Sequence, residues 1–445
     1  MAGFIGIGLV VQTLYFLIDL YFVARLGEQA IAGVSAAGNS YMLGMATAQL
    51  ISIGTLSLVS RSIGARDIAD AGLVFNQALG LGVLAGLVAL AVGYAFGAAA
   101  LEVLGADAAT ARAGRSYLFA FLPAIALMFP IAALGSGLRA VGVVGPPMII
   151  QSLSLGLNAL LAPVLIAGWG TGQPMGVAGA GLASSIAAGA GLLATTLLFA
   201  RMQSSLRLSL ADMAPRLRVW GRIAAVGLPA AGEFFLMFVV MSVIYLTLRD
   251  FGPAAQAGFG IGGRVMQAVF LPVMAVAFAA APIAGQNFGA GNAERVRATY
   301  RAAALIGSAM MLMLTLLCQI RPELLVRPFA ADADVIAVAA GYLQIISWNF
   351  VALGLVFTCS GMFQALGDTR PAFFSSATRL VTFAVPVLWL SGQPGFRVEH
   401  VWMLSVASVL LQAVLSLLLL RGQLQRRLAA FEQPVGQPAA AVAGA

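Results

Sequence analysis

LVFNQALGLGVLAGLVALAVGYAFG (residues 73–97) runs 25 residues without a charged side chain. A helix needs about 20 predominantly apolar residues to cross a bilayer, so this stretch is long enough to span. A membrane strand would instead show segments of about ten residues with alternating polarity, and the sequence has none. Eleven further stretches share this character: 4–24, 31–58, 116–135, 146–167, 176–200, 223–248, 254–284, 300–320, 335–362, 371–391 and 399–420. Of 445 residues, 61% are hydrophobic and 9% charged; soluble domains carry roughly 45–50% and about 25%. The sequence therefore predicts an all-α integral membrane protein with twelve transmembrane helices in the lipid bilayer. No basic lead or small-residue cleavage site precedes Arg25, so the first stretch reads as a retained span rather than a removed signal peptide.

All 24 basic residues are arginine. Without lysine there is no P-loop of the kind that cradles ATP phosphates, and no Schiff-base chemistry. One histidine, His400, and two cysteines, Cys318 and Cys359, cannot build a His/Cys zinc or haem cluster, and both cysteines sit in apolar runs that disfavour a structural disulfide. No cofactor and no enzymatic activity are expected.

The net charge of +8 is explained by topology rather than by nucleic acid. Fifteen arginines fall in the loops after even-numbered spans and in the C-terminal tail, seven in the loops after odd-numbered spans. The positive-inside rule then places both termini in the cytoplasm of a plasma-membrane protein.

The longest polar stretch, RMQSSLRLSLADMAPRLRVWGR (201–222), lies midway along the chain. It reads as a cytoplasmic linker between an N-terminal six-helix lobe (1–200) and a C-terminal six-helix lobe (223–421), with 422–445 as a disordered cytoplasmic tail. The halves align without gaps at an offset of 225 residues. The shift pairs Gly64-Ala65 with Gly289-Ala290, Asp107-Ala108 with Asp332-Ala333, Tyr117-Leu118 with Tyr342-Leu343, and RAVGVVGP (139–146) with QALGDTRP (364–371). An even number of spans per repeat gives both lobes the same topology, related by an axis along the membrane normal.

Five stretches carry a family resemblance: QTLYFLIDLYFVARLG (12–27), SRSIGARD (60–67), GLPAAGEFF (227–235), GIGGRVMQAVFLPVMAVAFAAAPIAGQNFGAGNAERVR (260–297) and FQALGDTRPAFF (363–374). Together they resemble the multidrug and toxic compound extrusion (MATE) transporters over nearly the whole chain. The resemblance implies two six-helix lobes around a central cavity, acting as a monomer. It also implies export of small-molecule organic cations, driven by inward movement of H+ or Na+.

Two acids fall inside apolar spans, Asp19 and Glu233. Intramembrane carboxylates cost roughly 2.5–3.5 kcal/mol on insertion scales and are functional candidates by default. Asp19 lies roughly 9 Å inside the outer end of its span at 1.5 Å per residue. From position alone it either snorkels and pairs with an arginine or serves in binding. The resemblance selects the second reading, because Asp19 in LIDLYFVARLG matches the family's proposed coupling-ion carboxylate, which would also serve a Na+ site. Glu233 falls between Arg222 and Arg249 near the bilayer midplane, as a substrate or ion ligand or as the buried partner of an arginine such as Arg264. Many family members carry a glutamate in this span, in several about one turn later.

Asn158 matches a fifth-span asparagine that some relatives place beside the first-span Asp. Those relatives have a second acid one turn on, where this chain has Ala162, so no relay of two carboxylates is available. The tenth span has Asn349 and Gln364 where some sodium-coupled members use an acid. Gln12, at the head of the first matching stretch, and Asn349 complete the binding candidates. Arg264 and Arg379 are expected to pair with buried carboxylates. Met237, Met241, Met266 and Met274 are expected as packing more than as pocket lining. Pro229, Pro272 and Pro386 lie inside spans and permit bends.

A secondary antiporter for amphipathic cations is the leading reading. The alternative is a flippase for a lipid-linked sugar, for which the span count and the cavity acids fit less well. A permease subunit of an ATP-driven complex fits less well still, given a doubled and self-contained chain.

Overall fold

The computed structural model describes residues 26, 28–104, 108–170, 172–202, 206–327 and 333–432. The predicted first span, with Gln12 and Asp19, lies outside the described residues. Among those described there is no strand, and eleven helical units are long and apolar enough to cross a membrane. They are α1 (Glu28–Gly64), α2 (Ile68–Leu104), α3 (Ala108–Ala140), α4 (Gly145–Ala167), α5 (Val177–Arg201), α6 (Leu217–Leu248), α7 (Pro253–Gly289), α8 (Ala293–Ile320), the pair α9 (Ala333–Ile346) and α10 (Phe350–Leu366), α11 (Arg370–Ser391) and α12 (Val398–Glu432). In chain order they coincide with the second to twelfth predicted spans.

Each lobe is built around a core, and that of the N-terminal lobe extends onto α6 through Val219, Ile223 and Val226. In the N-terminal lobe α1 to α5 close on Ile51, Leu118, Leu134 and Phe75, the last stacked on Phe199 at 4.8 Å. In the C-terminal lobe Val273, Phe350, Phe383 and Trp402 are buried together, with Phe259 stacked on Trp402 at 5.5 Å. Leu87, Leu160, Leu193, Leu305 and Val385 face outward and are exposed, as side chains turned to lipid must be.

The internal repeat is preserved bond for bond at the loops. After α1, the Ala65 N–H donates to the Arg61 carbonyl at 2.9 Å and the Asp67 N–H to the Ser62 carbonyl at 2.9 Å. After α7, Ala290 donates to Gln286 at 2.9 Å and Asn292 to Asn287 at 2.9 Å. Asp67 Oδ1 then accepts the Asp70 N–H at 2.9 Å, and Asn292 Oδ1 accepts the Arg295 N–H at 3.0 Å, so each following helix begins on an equivalent side-chain cap. The turn needs a left-handed residue, supplied by Arg66 (φ 61°) in one lobe and Gly291 (φ 71°) in the other.

The lobes meet where α1 crosses α7, and the contact is reciprocal. A side chain on Gly64 would strike the Gln286 carbonyl, and one on Gly289 would strike the Arg61 carbonyl. Gly64 and Gly289, and likewise Arg61 and Gln286, are partners under the 225-residue offset. The crossing therefore has the self-complementary form of a two-fold contact, built on small residues that let membrane helices approach closely. Gly289→Ala is expected to lower stability by about 1–3 kcal/mol, the usual overpacking cost. Gly135→Ala, in open space on α3, is the control. Thermal unfolding in detergent decides: equal melting temperatures for the two variants contradict the tight crossing.

Further contacts close the same end. The Ser57 hydroxyl donates to the Gln364 carbonyl at 2.5 Å, Gln286 Nε2 to the Ala140 carbonyl at 2.6 Å, and Arg222 grips Asp70 at 2.7 and 2.9 Å. These three contacts between the lobes all lie at this end, on the side of the linker.

The linker is shorter than the sequence implied, since α6 begins at Leu217. It is pegged to α2 by two adjacent buried amides. Asn76 donates to the Arg207 carbonyl and accepts from the Ser209 N–H, at 2.8 and 2.9 Å. Gln77 donates to the Asp212 and Ala214 carbonyls and accepts from the Arg216 N–H.

The tail expected to be disordered from 422 is instead helical to Glu432. Leu428 is fully buried, Arg427 Nη1 donates to the Leu366 carbonyl at 2.6 Å, and Gln423 Nε2 donates to Asp368 at 2.8 Å. These contacts to the α10–α11 turn hold the extension, and a count of apolar residues does not register them.

Candidate functional site

The ninth and tenth helices derive from one predicted span, 335–362, which the structure breaks at a 3₁₀ turn, Ser347–Asn349. A break inside a membrane frees backbone carbonyls, which must find other donors. Two residues of α8 supply them: Thr315 Oγ1 donates to the Ser347 carbonyl at 2.9 Å, and Gln319 Nε2 donates to the Gln344 carbonyl at 2.6 Å. The turn leaves Asn349 buried and facing a cavity of about 120 Å³ inside the C-terminal lobe. The cavity lies among α6, α7, α9–α10, α11 and α12.

Glu233 enters the same cavity from α6. Its Oε2 accepts a hydrogen bond from the Ser360 hydroxyl of α10 at 2.8 Å. The preceding Gly232 leaves room for the Phe373 ring, which occupies the place of a missing side chain, so α6 can lie close to α11 at the depth of the acid. Two buried amide oxygens on the cavity wall have no partner: Asn349 Oδ1 and Gln412 Oε1. Gln412 is held by its other end, Nε2 donating to Ser376 at 3.0 Å. Tyr342, Trp402 and Phe357 supply aromatic walls, and Met237, Met241 and Met266 flexible apolar ones.

The structure thus brings together Glu233 and Asn349, but not Asn158. Asn158 is fully buried in the other lobe, its Nδ2 donating to Ser184 at 3.0 Å and its Oδ1 unpartnered. Ala162, one turn on, is fully buried as well.

Two expectations are corrected. Arg264 is exposed and does not pair with Glu233, because its place on α7 turns it away from the lobe interior. Arg379 faces the cavity, yet among the described residues no carboxylate pairs with it and its buried Nε has no partner. The methionines also depart from plain packing, since three of the four named line the cavity; Met274 does not.

Sequence reading passed over Ser360, Ser376, Tyr342 and Gln412. Gln412 had a visible signal, an amide in the middle of the apolar run SVASVLLQAVLSLLLL (405–420). Tyr342 was visible only as one half of a repeat pair. Serines at membrane depth more often bond their own helix, so Ser360 and Ser376 gave no signal.

Two like-oriented helical repeats, joined at one end, with a largely apolar cavity at membrane depth inside one of them that carries a few polar groups, define a two-lobed multi-pass membrane transporter. The chain belongs to the MatE family, whose model matches residues 5–164 and again 229–390. The two matches repeat the offset that pairs the halves. The multidrug export protein MepA of Staphylococcus aureus (strain MSSA476) is 27% identical over 429 residues, covering 94% of this chain and 92% of that protein. MepA of Staphylococcus haemolyticus (strain JCSC1435) is 24% identical over 405 residues, covering 90% and 88%.

Among solved structures, a MATE crystal structure in the bent conformation superposes with a TM-score of 0.90 at 22% identity, covering 97% of this chain and 95% of that one. A MOP superfamily transporter from Pyrococcus furiosus gives 0.87 at 23%, covering 98% and 96%. At such identities these likenesses speak for the fold.

Proposed function

We propose that the chain is a secondary antiporter that exports amphipathic, cationic organic compounds in exchange for H+ or Na+. The observation that carries this reading is the cavity holding Glu233 beside the unpartnered oxygens of Asn349 and Gln412. A carboxylate flanked by free acceptors and lined with aromatic rings fits a cation with an apolar body. Such a carboxylate is neutralised by a proton, by sodium or by the substrate cation, one at a time, and that mutual exclusion yields exchange. Sodium needs several oxygen ligands, as hard cations do. The export activity that names the MepA relatives agrees with this direction of transport. The chain divides into two lobes at 1–200 and 223–421 joined through 201–222, with α6 already beginning inside that segment at Leu217. Asp19 and Gln12, with Asn158, form the N-terminal-lobe half of the machinery, and Asp19 is the coupling carboxylate.

We place the linker and both termini in the cytoplasm of the plasma membrane, on the arginine distribution. Closure at the linker side then corresponds to the outward-facing state, and transport requires the reciprocal glycine crossing to open. The orientation has a direct check. With Cys318 and Cys359 removed, Trp169→Cys is expected to react with an impermeant thiol reagent on intact cells and Leu210→Cys only after lysis; both positions are exposed. The reverse pattern contradicts the orientation.

Export itself is tested in a host stripped of its own efflux pumps. Expression of the chain is expected to lower steady-state ethidium accumulation, and a protonophore or sodium removal to abolish the difference. Unchanged accumulation at verified membrane expression contradicts the reading.

A further inference from the structure

The cavity that accepts a cation also carries a permanent positive charge. Arg379 lies in the middle of α11, facing the same space as Glu233. Its guanidinium does not give up its proton in a protein, and a buried charge is ordinarily paired or hydrogen-bonded. Here the Nε is buried without a partner, and no carboxylate among the described residues pairs with the group. Glu233, the one acid on the cavity wall among the described residues, is instead engaged by Ser360. The arrangement is confined to this lobe, because the 225-residue offset places Ser154 opposite Arg379 and Gly8 opposite Glu233.

Resting on the export reading above, we propose that Arg379 forms an anion-accepting subsite, so that the ligand best matched to the cavity is an amphipath bearing a carboxylate together with a protonated amine. A cation alone meets the attraction of Glu233 and the repulsion of Arg379. A ligand with both groups satisfies each, its amine toward Glu233, Asn349 and Gln412, its carboxylate on the guanidinium, whose planar donors match a carboxylate in two parallel hydrogen bonds. Arg379 is thus a specificity determinant. It ranks amphoteric compounds above their esterified forms, and Glu233 is needed for both.

Rhodamine 110, a xanthene dye whose cationic iminium N–H groups stand for the protonated amine beside a free carboxylate, and rhodamine 123, its methyl ester, provide a matched pair. The purified full chain, wild type and Arg379→Gln, is titrated with each dye by fluorescence polarisation, and each dye is followed in proteoliposome uptake. The expected result is tighter binding of rhodamine 110 by the wild type and a loss of at least about tenfold for that dye alone in Arg379→Gln. Arg379→Lys, which keeps the charge but not the planar fork, is expected to recover part of the loss.

Equal loss for both dyes in a variant of unchanged melting temperature overturns the subsite and makes Arg379 structural; no loss for either dye places it outside the site. If the wild type binds and transports neither dye, the export reading fails together with the subsite. Transport of both dyes with no dependence on Arg379 fails the subsite alone.

Discussion

Asp19→Asn is expected to abolish gradient-driven export while leaving a folded, inserted protein. By the resemblance, Asp19 is expected to be the coupling carboxylate, and the position expected to carry a second acid is the fully buried Ala162. What remains near that position is Asn158, buried and with an unpartnered Oδ1. An amide oxygen can ligate an ion or accept a hydrogen bond but cannot take up and release a proton. Asn in place of Asp19 removes the titratable charge at nearly constant shape, so binding of substrate should survive while its accumulation against a gradient does not. Asp19→Glu moves the charge by about one methylene and should retain reduced activity with altered pH or sodium dependence. Dye flux, with expression and melting temperature measured in parallel, separates this from misfolding. A well-folded Asn variant that still concentrates substrate places coupling elsewhere, with Glu233 the next candidate.

Glu233→Gln is expected to reduce export of cationic dyes by at least tenfold. Loss of a charged hydrogen-bonding partner in a buried site costs about 1.5–3 kcal/mol, and each 1.4 kcal/mol is tenfold in affinity. Gln keeps the acceptor for the Ser360 hydroxyl and adds no bulk, so the lobe should keep its stability. With Arg379 left as the sole charge on the wall among the described residues, the variant's cavity disfavours cations. Export of ethidium at the wild-type rate would show that Glu233 is a structural acid, held by Ser360 rather than by Arg264, which is exposed.

The fold was largely legible because membranes impose simple demands. Length and apolarity mark each span, and the even spacing of Gly64-Ala65 and Gly289-Ala290, or of Gly142 and Gly367, marks the repeat. The structure gives that spacing a physical basis, since Gly142 (φ 90°) and Gly367 (φ 76°) turn the chain identically. Three features escaped sequence reading. The break at Ser347–Asn349 depends on donors from α8, 32 residues away for Thr315, and no local pattern reports such partners. The helical extension to Glu432 depends on the α10–α11 turn against which Arg427 and Leu428 settle. Arg379 was seen as intramembrane but assigned a carboxylate partner, because the sequence cannot tell which of two buried charges share a hydrogen bond. The candidate site was therefore half visible, with Glu233 and Asn349 found as isolated polar residues and their shared cavity a product of tertiary packing.

Exchange of substrate for an ion across the two lobes is tested most directly in proteoliposomes holding the purified chain, loaded and diluted so that a proton gradient and a sodium gradient are imposed separately. Ethidium is expected to accumulate against its own gradient when one of the two ions flows in the opposite direction, and to stop when that gradient is collapsed or when Asp19→Asn replaces the wild type. Accumulation that persists with both ion gradients absent, or ethidium movement that only follows its own gradient down, would contradict antiport.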